Sequence, residues 1–531
     1  MVMMFGGFRL LNLQTTTTAY WTEDFSITAA DLDFIYNLFL EEAVPLTTPD
    51  LIQRLISARV DKEFKSFKKI QDKGEIFRPQ ESYDIGQEII FPAFDFSKAE
   101  ITDKRAGQNP EYGDFSVIEA TFNDGTVREF GSDLTIEHQL NEMFVDMDDI
   151  QKPDPRAIYS RYKRTLTRKV VDALREDDDT LFIAKRWFLK SLLIGVNQGH
   201  LNLAEAILDM GEGGPLPTSE LANVAEFGEG ENQILKTVSL DYALLQDERF
   251  DEVGPAGKVL WFLQRMEPET ILETPKPLRY HPIEYDAGLL TPELIQIEEE
   301  LDDELSLYEL VDEDDLEDTA VIRVTYPHLR AGTLPLTQRS EHIFPIAYRT
   351  PRILFTLVDG ETQEEIPAWV VRESGYVYGL ADFYERHQIS IGALLRVRAD
   401  EEDLSRVIIE IDNYRSRSEW VRIITKANDR IMFKEGQITV TTPFDELMIF
   451  GAESYDEIDA LRDKYRGMNL GNLIGELIGE LASFSPQQHV HAKTIYSAVN
   501  VLRRCPPAPI FAELRKNSRF NNTGGAYWRL S

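Results

Sequence analysis

Two stretches of this chain repeat one pattern, and that repeat constrains the fold more than any other feature. One runs Asp247-Glu-Arg-Phe-Asp-Glu-Val-Gly-Pro-Ala-Gly-Lys-Val-Leu-Trp-Phe-Leu; the other runs Asn517-Ser-Arg-Phe-Asn-Asn-Thr-Gly-Gly-Ala-Tyr-Trp-Arg-Leu. Each has Arg-Phe, a polar pair, a glycine turn, then Trp and a closing Leu, and each follows a helical pattern. The Phe is expected to seal the end of that helix. The glycines make the turn, and the Trp strand returns over the core.

The N-terminal part offers a related order. Ser26 to Asp33 reads as a helix entry, with Leu32, Ile35, Leu38 and Phe39 on one face. Thr48 is an N-cap with Pro49 behind it, and Leu51, Leu55 and Ile56 continue a short second helix. Asp61 to Asp72, with Phe64, Phe67 and Ile70, reads as a third helix ended by Gly74. Glu75 to Phe91 then alternates as strands do. Three short helices followed by a strand pair is the winged helix-turn-helix order. Tyr83 to Leu134 is rich in strands and turns, with Asn123-Asp124-Gly125 a hairpin cue. Lys152 to Arg168 is basic and punctuated by proline, and reads as a linker and helix start. Val170 to Asn197, with Phe182, Trp187 and Phe188, reads as helical. Leu201 to Leu263 repeats the first theme, its second helix opened by Pro215-Leu-Pro-Thr-Ser. Thr319 to Ile411 is patterned as strands. Tyr455 to Leu481 reads as helical, with glycines at 467, 471, 475 and 479 spaced for close helix contact.

The expected architecture is α+β and multidomain, with repeated winged helix-turn-helix units and small β-barrel domains. The divisions are an extension at 1–25, a winged helix at 26–82 and an SH3-like barrel at 83–140. A helical and winged-helix domain follows at 152–270, then an acidic linker at 271–318. A β-rich domain spans 319–450, and a helical segment with a winged-helix-like unit spans 451–531. At 531 residues, three to five domains are expected. Asp and Glu outnumber Lys and Arg 92 to 56, a net charge of −36, which argues against a protein that coats a polyanion over its whole surface. Fourteen acidic and no basic residues lie between Glu293 and Asp318; they read as a solvated linker, or as an arm that docks on a basic surface. A lone cysteine, Cys505, precludes an internal disulfide framework and a cysteine-cluster zinc site. No apolar run reaches the ~20 residues of a membrane helix, and Met1 to Leu13 lacks the marks of a signal peptide. A cytoplasmic protein without membrane association is expected.

The repeated pattern resembles the HARE-HTH winged-helix family, to which the delta subunit of bacterial RNA polymerase belongs. The matching positions are Arg249, Phe250, Gly257, Trp261 and Leu263, and Arg519, Phe520, Gly525, Trp528 and Leu530, within segments near 200–265 and 489–531. The resemblance implies association with nucleic acid or transcription machinery, and no catalysis. Around 330–411, Leu334-Pro335, Trp369-Val-Val and Gly379-Leu-Ala-Asp-Phe-Tyr are similar to the DNA-binding pseudobarrel of plant transcription factors and some restriction enzymes.

Two basic groups are candidate nucleic-acid contacts. Lys62, Lys65, Lys69 and Lys73 fall at spacings of 3, 4 and 4 with Lys68 beside them, one face of a helix. Arg503, Arg504, Arg515, Lys516, Arg519 and Arg529 cluster in the last unit, where pairing with the acidic arm is the competing reading. Arg161-Tyr-Lys163-Arg164 and Arg415-Ser-Arg417 read as ordinary solvated runs. His489 and His491 suit a surface or capping role, and Cys505 a small buried hydrophobe. Gly254-Pro-Ala-Gly-Lys258-Val lacks the spacing and the hydroxyl of a phosphate loop, and no nucleophile-elbow, zincin or dinucleotide motif occurs. Abundant carboxylates leave a two-metal site open. The expectation is a non-enzymatic factor bound to DNA or transcription machinery, with no cofactor or metal. The alternatives are a protein-interaction scaffold with an acidic surface, or a component of a restriction or defence system.

Overall fold

A computed structural model describes residues 14–531 except 72–73, 92–93, 95, 110–112, 137–151, 184, 226, 228–231, 307–316, 348–349, 404 and 412–414. Lys73, the expected extension up to residue 13 and the second half of the acidic arm lie outside the described residues. The chain divides into two compact units: 1–195 with 231–239, and 196–230 with 240–531.

In the first unit, helix α1 (Ala29–Glu42) is followed by a two-residue strand β1 (Leu46–Thr47) and helix α2 (Thr48–Gln71). The backbone N–H of Thr28 donates to Asp31 at 2.8 Å, closing the start of α1. Arg59 of α2 forks onto the same carboxylate at 3.0 and 2.5 Å, which locks the two helices together. The expected break between a second and a third helix near residue 60 is absent. No glycine or proline interrupts Leu51 to Gln71, so the amphipathic pattern runs on as one helix.

Strands β2 (Glu75–Ile76), β3 (Glu88–Phe91), β4 (Ser97–Ala106), β5 (Ser116–Phe122) and β6 (Val127–Ser132) then form one five-stranded sheet in that order. Phe77, Tyr83, Ile89, Phe91, Ile101 and Ile118 fill its core. Residues 75–91, expected to be the first wing, therefore belong to this sheet. The chain returns as helix α3 (Pro155–Glu176) and the hairpin of β7 (Thr180–Ile183) and β8 (Arg186–Leu189). β8 pairs on its other edge with β1, Trp187 opposite Leu46. The helix expected over 170–197 thus stops at Glu176. Three consecutive aspartates follow, and Thr180-Leu-Phe-Ile and Trp187-Phe-Leu carry the aromatic and β-branched residues of strands.

Helix, two-residue strand, helix, helix, hairpin, with the short strand bonded to the last strand, is an order that recurs twice in the chain. The second copy is α4 (Gln198–Met210), β9 (Leu216–Pro217), α5 (Thr218–Val224), α6 (Gln233–Leu244), β10 (Phe250–Glu252) and β11 (Leu260–Leu263). Its sheet order is β10-β11-β9.

Helix α7 (Pro292–Leu301) comes next, and it corrects the linker expectation. Leu294, Ile297 and Leu301 of this acidic stretch are buried in the largest core of the second unit. A nearly closed, barrel-like sheet follows. It is built from β12 (Thr319–Arg323), β13 (Thr333–Pro335), β14 (Arg352–Asp359), β15 (Glu365–Val371), β16 (Tyr376–Tyr378), β17 (Leu394–Ala399) and β18 (Arg406–Glu410). The order is β12-β17-β18-β14-β15-β16-β13. Two short helices, α8 (Tyr326–Ala331) and α9 (Ala381–Arg386), interrupt it. A long hairpin, β19 (Arg417–Ala427) and β20 (Arg430–Val440), pairs with β21 (Phe450–Ala452).

The third copy closes the chain. Helix α10 (Tyr455–Tyr465) precedes α11 (Leu470–Leu481), so the helix expected over 455–481 is two, broken at Gly467-Met468-Asn469. β22 (Val490–His491), α12 (Ala492–Leu502), α13 (Pro507–Lys516), β23 (Phe520–Gly524) and β24 (Tyr527–Leu530) complete the order, in a sheet β22-β24-β23. Of the four glycines expected to allow close contact, Gly471 and Gly475 do so, while Gly467 has open space beside it and Gly479 only an ordinary contact with Leu530 at 3.7 Å. A Cβ on Gly471 would sit 2.3 Å from Glu513 of α13, and one on Gly475 would sit 2.8 Å from Arg519.

The three copies share a buried Trp at the same place: Trp187, Trp261 and Trp528, each opposite the first residue of the short strand. Two residues after that partner, at the start of the next helix, stand Thr48, Thr218 and Ala492. The indole N–H of Trp187 donates to Thr48 at 3.0 Å and that of Trp261 to Thr218 at 2.9 Å. Trp261 also donates to Asp241 at 3.0 Å. Burial pushes the Asp241 carboxyl up to about 7, against the hydrogen bonds from Thr218 and Trp261. With Ala492 in the third copy, the buried indole N–H of Trp528 has no partner among the described residues.

Candidate nucleic-acid interface

Helix α3 carries the densest positive charge on any third helix of the three copies. Asp154 caps it by accepting from Arg156 N at 3.0 Å, and Pro155 occupies its first turn. Ile158, Leu166, Val170 and Leu174 bury one face. Arg156, Arg161, Lys163, Arg164, Arg168 and Arg175 stand exposed on the remainder. None of these six is paired with a carboxylate among the described residues. The backbone departs from helical geometry at Tyr162 (φ −115°, ψ 19°), whose hydroxyl donates to Thr18 at 3.0 Å. Lys169 is spent differently: its ammonium donates to the carbonyl of Phe25 at 2.6 Å and fixes α3 on the preceding chain.

The expected lysine face lies near this helix. Lys62, Lys65, Lys68 and Lys69 are exposed on the second half of α2. Lys152, just before α3, ion-pairs with Asp61, so the start of α3 lies beside that half of α2. The exposed cations of α2 and α3 thus lie on neighbouring helices. The run at Arg161 to Arg164, read from sequence as an ordinary solvated segment, belongs to the six exposed cations of α3.

The C-terminal candidates do not form one open surface. Arg504 is buried and ion-paired with Asp303 at 2.5 Å and Glu304 at 2.7 Å, so it is not available to a phosphate. The competing sequence reading, pairing with the acidic arm, describes it. Burial works against the charge on Glu304, yet Arg504 and His328 hold its carboxyl below the usual range; burial pushes Asp303 the other way. Arg503 donates to the carbonyl of Met468 at 3.0 Å. Arg519 donates to Asn472 of α11 at 3.0 Å, and Arg249 makes the matching bond to Asn202 at 3.0 Å while also pairing with Asp247 and Glu205. The Arg of each Arg-Phe pair is therefore a clamp onto the first helix of its copy. Arg515, Lys516 and Arg529 are exposed. The third helix of that copy is not: Pro507 to Ala512 are all buried.

His491 accepts from Lys493 N at 3.1 Å and caps α12; burial and Lys493 lower its imidazole to about 4. Cys505 is fully buried, and burial pushes its thiol up to about 12. Among the described residues, no group of three or more His, Cys, Asp or Glu is placed to hold a metal ion, and no helix is long and apolar enough to cross a membrane. No family model, curated protein or solved structure matches the chain.

Proposed function

We propose that this protein is a non-enzymatic, cytoplasmic DNA-associated regulatory factor, and that it contacts duplex DNA through α3 and the second half of α2. The observation that carries this reading is the set of six exposed, carboxylate-free cations on α3. That helix stands third in an order of helix, strand, helix, helix, hairpin, the position of the recognition helix in a winged helix-turn-helix. Support for three winged-helix modules comes from the recurrence of that order with one sheet connectivity. Support for a DNA-binding pseudobarrel at 319–410 comes from seven strands in a nearly closed sheet interrupted by two short helices.

The three modules divide the work. α6 carries one basic and one acidic residue, and α13 is largely covered, so neither offers a phosphate surface. The second and third modules serve as scaffold, with transcription machinery or another protein as partner. Arginine and lysine contacts to phosphate position a protein on the duplex with little sequence preference. Binding of a fluorescent duplex, followed by anisotropy over a salt series, tests the reading. Salt-sensitive binding that is lost on reversing charges at Arg161, Arg164 and Arg168 supports it. No binding at low salt overturns it.

A further inference from the structure

The second unit contains a cavity of about 140 Å³ between the loop around residue 277, helix α10 and the end of α12. Lys276, Arg279, Arg462, Arg466, Arg503 and Arg504 contribute to its wall, with one carboxylate, Asp459. Six cations around one small concavity is a marked excess in a chain of net charge −36.

The carboxylates nearby pair with four of these cations and leave Arg462 and Arg503 without one among the described residues. Asp459 is already held by the Tyr326 hydroxyl at 2.8 Å and by Arg330 at 2.9 Å. Asp463 serves both Lys276, at 3.0 Å, and Arg466, at 3.8 Å; Glu273 pairs with Arg279 at 3.2 Å. Arg462 has no carboxylate partner among the described residues. Its guanidinium is fixed by three carbonyls, those of Asn500 (3.0 Å), Val501 (2.7 Å) and Pro277 (2.9 Å). Arg503 is held by the carbonyl of Met468. Arg504 is already paired with Asp303 at 2.5 Å and Glu304 at 2.7 Å, and only its buried Nε lacks an acceptor among the described residues. Guanidinium groups held by neutral acceptors, here those of Arg462 and Arg503, keep their charge uncompensated and are pre-organised for an anion.

We infer that this cavity binds a terminal phosphate group. Its concave shape and small volume suit one tetrahedral oxyanion at the end of a small molecule, whereas a duplex backbone presents a convex run of phosphates. The inference is independent of the DNA contact proposed above, because the cavity lies in the other unit and on other helices. The phosphate can come from inorganic phosphate or from a nucleotide, and the two sources are separable by titration.

The test uses the full chain at constant ionic strength set with sodium chloride. Inorganic phosphate and a nucleoside 5′-monophosphate are titrated calorimetrically, with melting temperature as a second readout. The variant is Arg279→Gln with Arg466→Gln; both side chains are exposed and outside the core. Saturable one-to-one binding and a raised melting temperature are expected, with affinity falling at least tenfold in the double variant while its melting temperature in chloride stays at the parental value. Arg515→Gln with Arg529→Gln, away from the cavity, should bind as the parent does. A nucleotide binding more than tenfold tighter than phosphate identifies the nucleotide as the source; equal affinities identify free phosphate. The inference is overturned if neither probe binds at 10-fold excess over a millimolar, or if parent and Arg279/Arg466 variant respond alike.

Discussion

Reversing three charges on α3 gives the most quantitative consequence of the proposed DNA contact. Arg161, Arg164 and Arg168 are exposed, at spacings that keep them near one face. None holds a carboxylate among the described residues, so Arg161→Glu, Arg164→Glu and Arg168→Glu together should cost the fold less than about 0.5 kcal/mol per site. Their effect on duplex binding should be large. Each phosphate neutralised contributes about −0.9 to the slope of log affinity against log salt. If all six exposed cations of α3 engage, that slope is about −5, and affinity falls about a thousandfold between 50 and 200 mM salt. With three contacts removed the slope should shrink to about −2.7, a fall of only ~40-fold over the same range. Binding at 50 mM should itself be much weaker, since the new carboxylates repel the backbone. Anisotropy of a labelled duplex at four or five salt concentrations measures both slopes. A parental slope shallower than about −2, or a triple variant with the parental slope and affinity, would refute the assignment of α3 as the contact.

Four further outcomes follow from the same geometry. Lys65→Glu with Lys69→Glu should lower the salt slope by about 2 at most, less than the α3 variant, because these lysines lie on the flanking helix; an effect larger than that of the α3 variant would move the contact to α2. Asp241 has its folded-state value raised to about 7 from 3.8, so the folded state holds the proton and stability falls as pH rises from about 4 to 7. At about 1.4 kcal/mol per unit the loss is roughly 4 to 5 kcal/mol, and Asp241→Asn should flatten the difference in melting temperature between pH 5 and pH 8; identical pH profiles would count against it. Arg504→Leu leaves Asp303 and Glu304 without their shared cation and should cost about 3–5 kcal/mol in denaturant unfolding, an effect absent if the pair is solvated. Ala492→Ser should give the orphaned indole of Trp528 an acceptor and stabilise by about 1 kcal/mol; a loss would mean that the site has no room for the hydroxyl.

Much of the architecture was legible because the residues that make it are local. The hairpin at Asn123-Asp124-Gly125, the alternation through 319–411 and the Arg-Phe to Trp pattern at 249–263 and 519–530 all report on elements within a few residues of one another. The first copy is legible only in its first two helices, because its closing helix and hairpin stand far along the chain. Pro45-Leu46-Thr47-Thr48 resembles Pro215-Leu216-Pro217-Thr218, and Trp187-Phe188-Leu189 is identical to Trp261-Phe262-Leu263. The obstacle is distance. Thr48 meets Trp187 across 139 positions, against 43 between Thr218 and Trp261, because a five-stranded sheet is inserted between the second and third helices. A strand of two residues has no periodicity of its own, so only its partner defines it. The same insertion misplaced the third helix, and with it the site: Lys62 to Lys69 were legible as an exposed cationic face, while Arg161 to Arg168 looked like a linker after Pro153 and Pro155. The acidic arm misled for a different reason. Charge density suggests solvation, but Leu294, Ile297 and Leu301 turn one face of α7 inward, and Asp303 and Glu304 find a buried arginine 200 residues away.

The most direct test of the central claim is lysine footprinting. The full chain is acetylated briefly with and without a duplex at low salt, and the labelled positions are read by mass spectrometry. The account predicts that duplex protects Lys163 on α3 and Lys62, Lys65, Lys68 and Lys69 on α2, while Lys516 at the end of the covered helix is labelled equally in both samples. Protection of Lys516 with Lys163 unchanged would contradict it, and so would a bound duplex that protects none of these lysines.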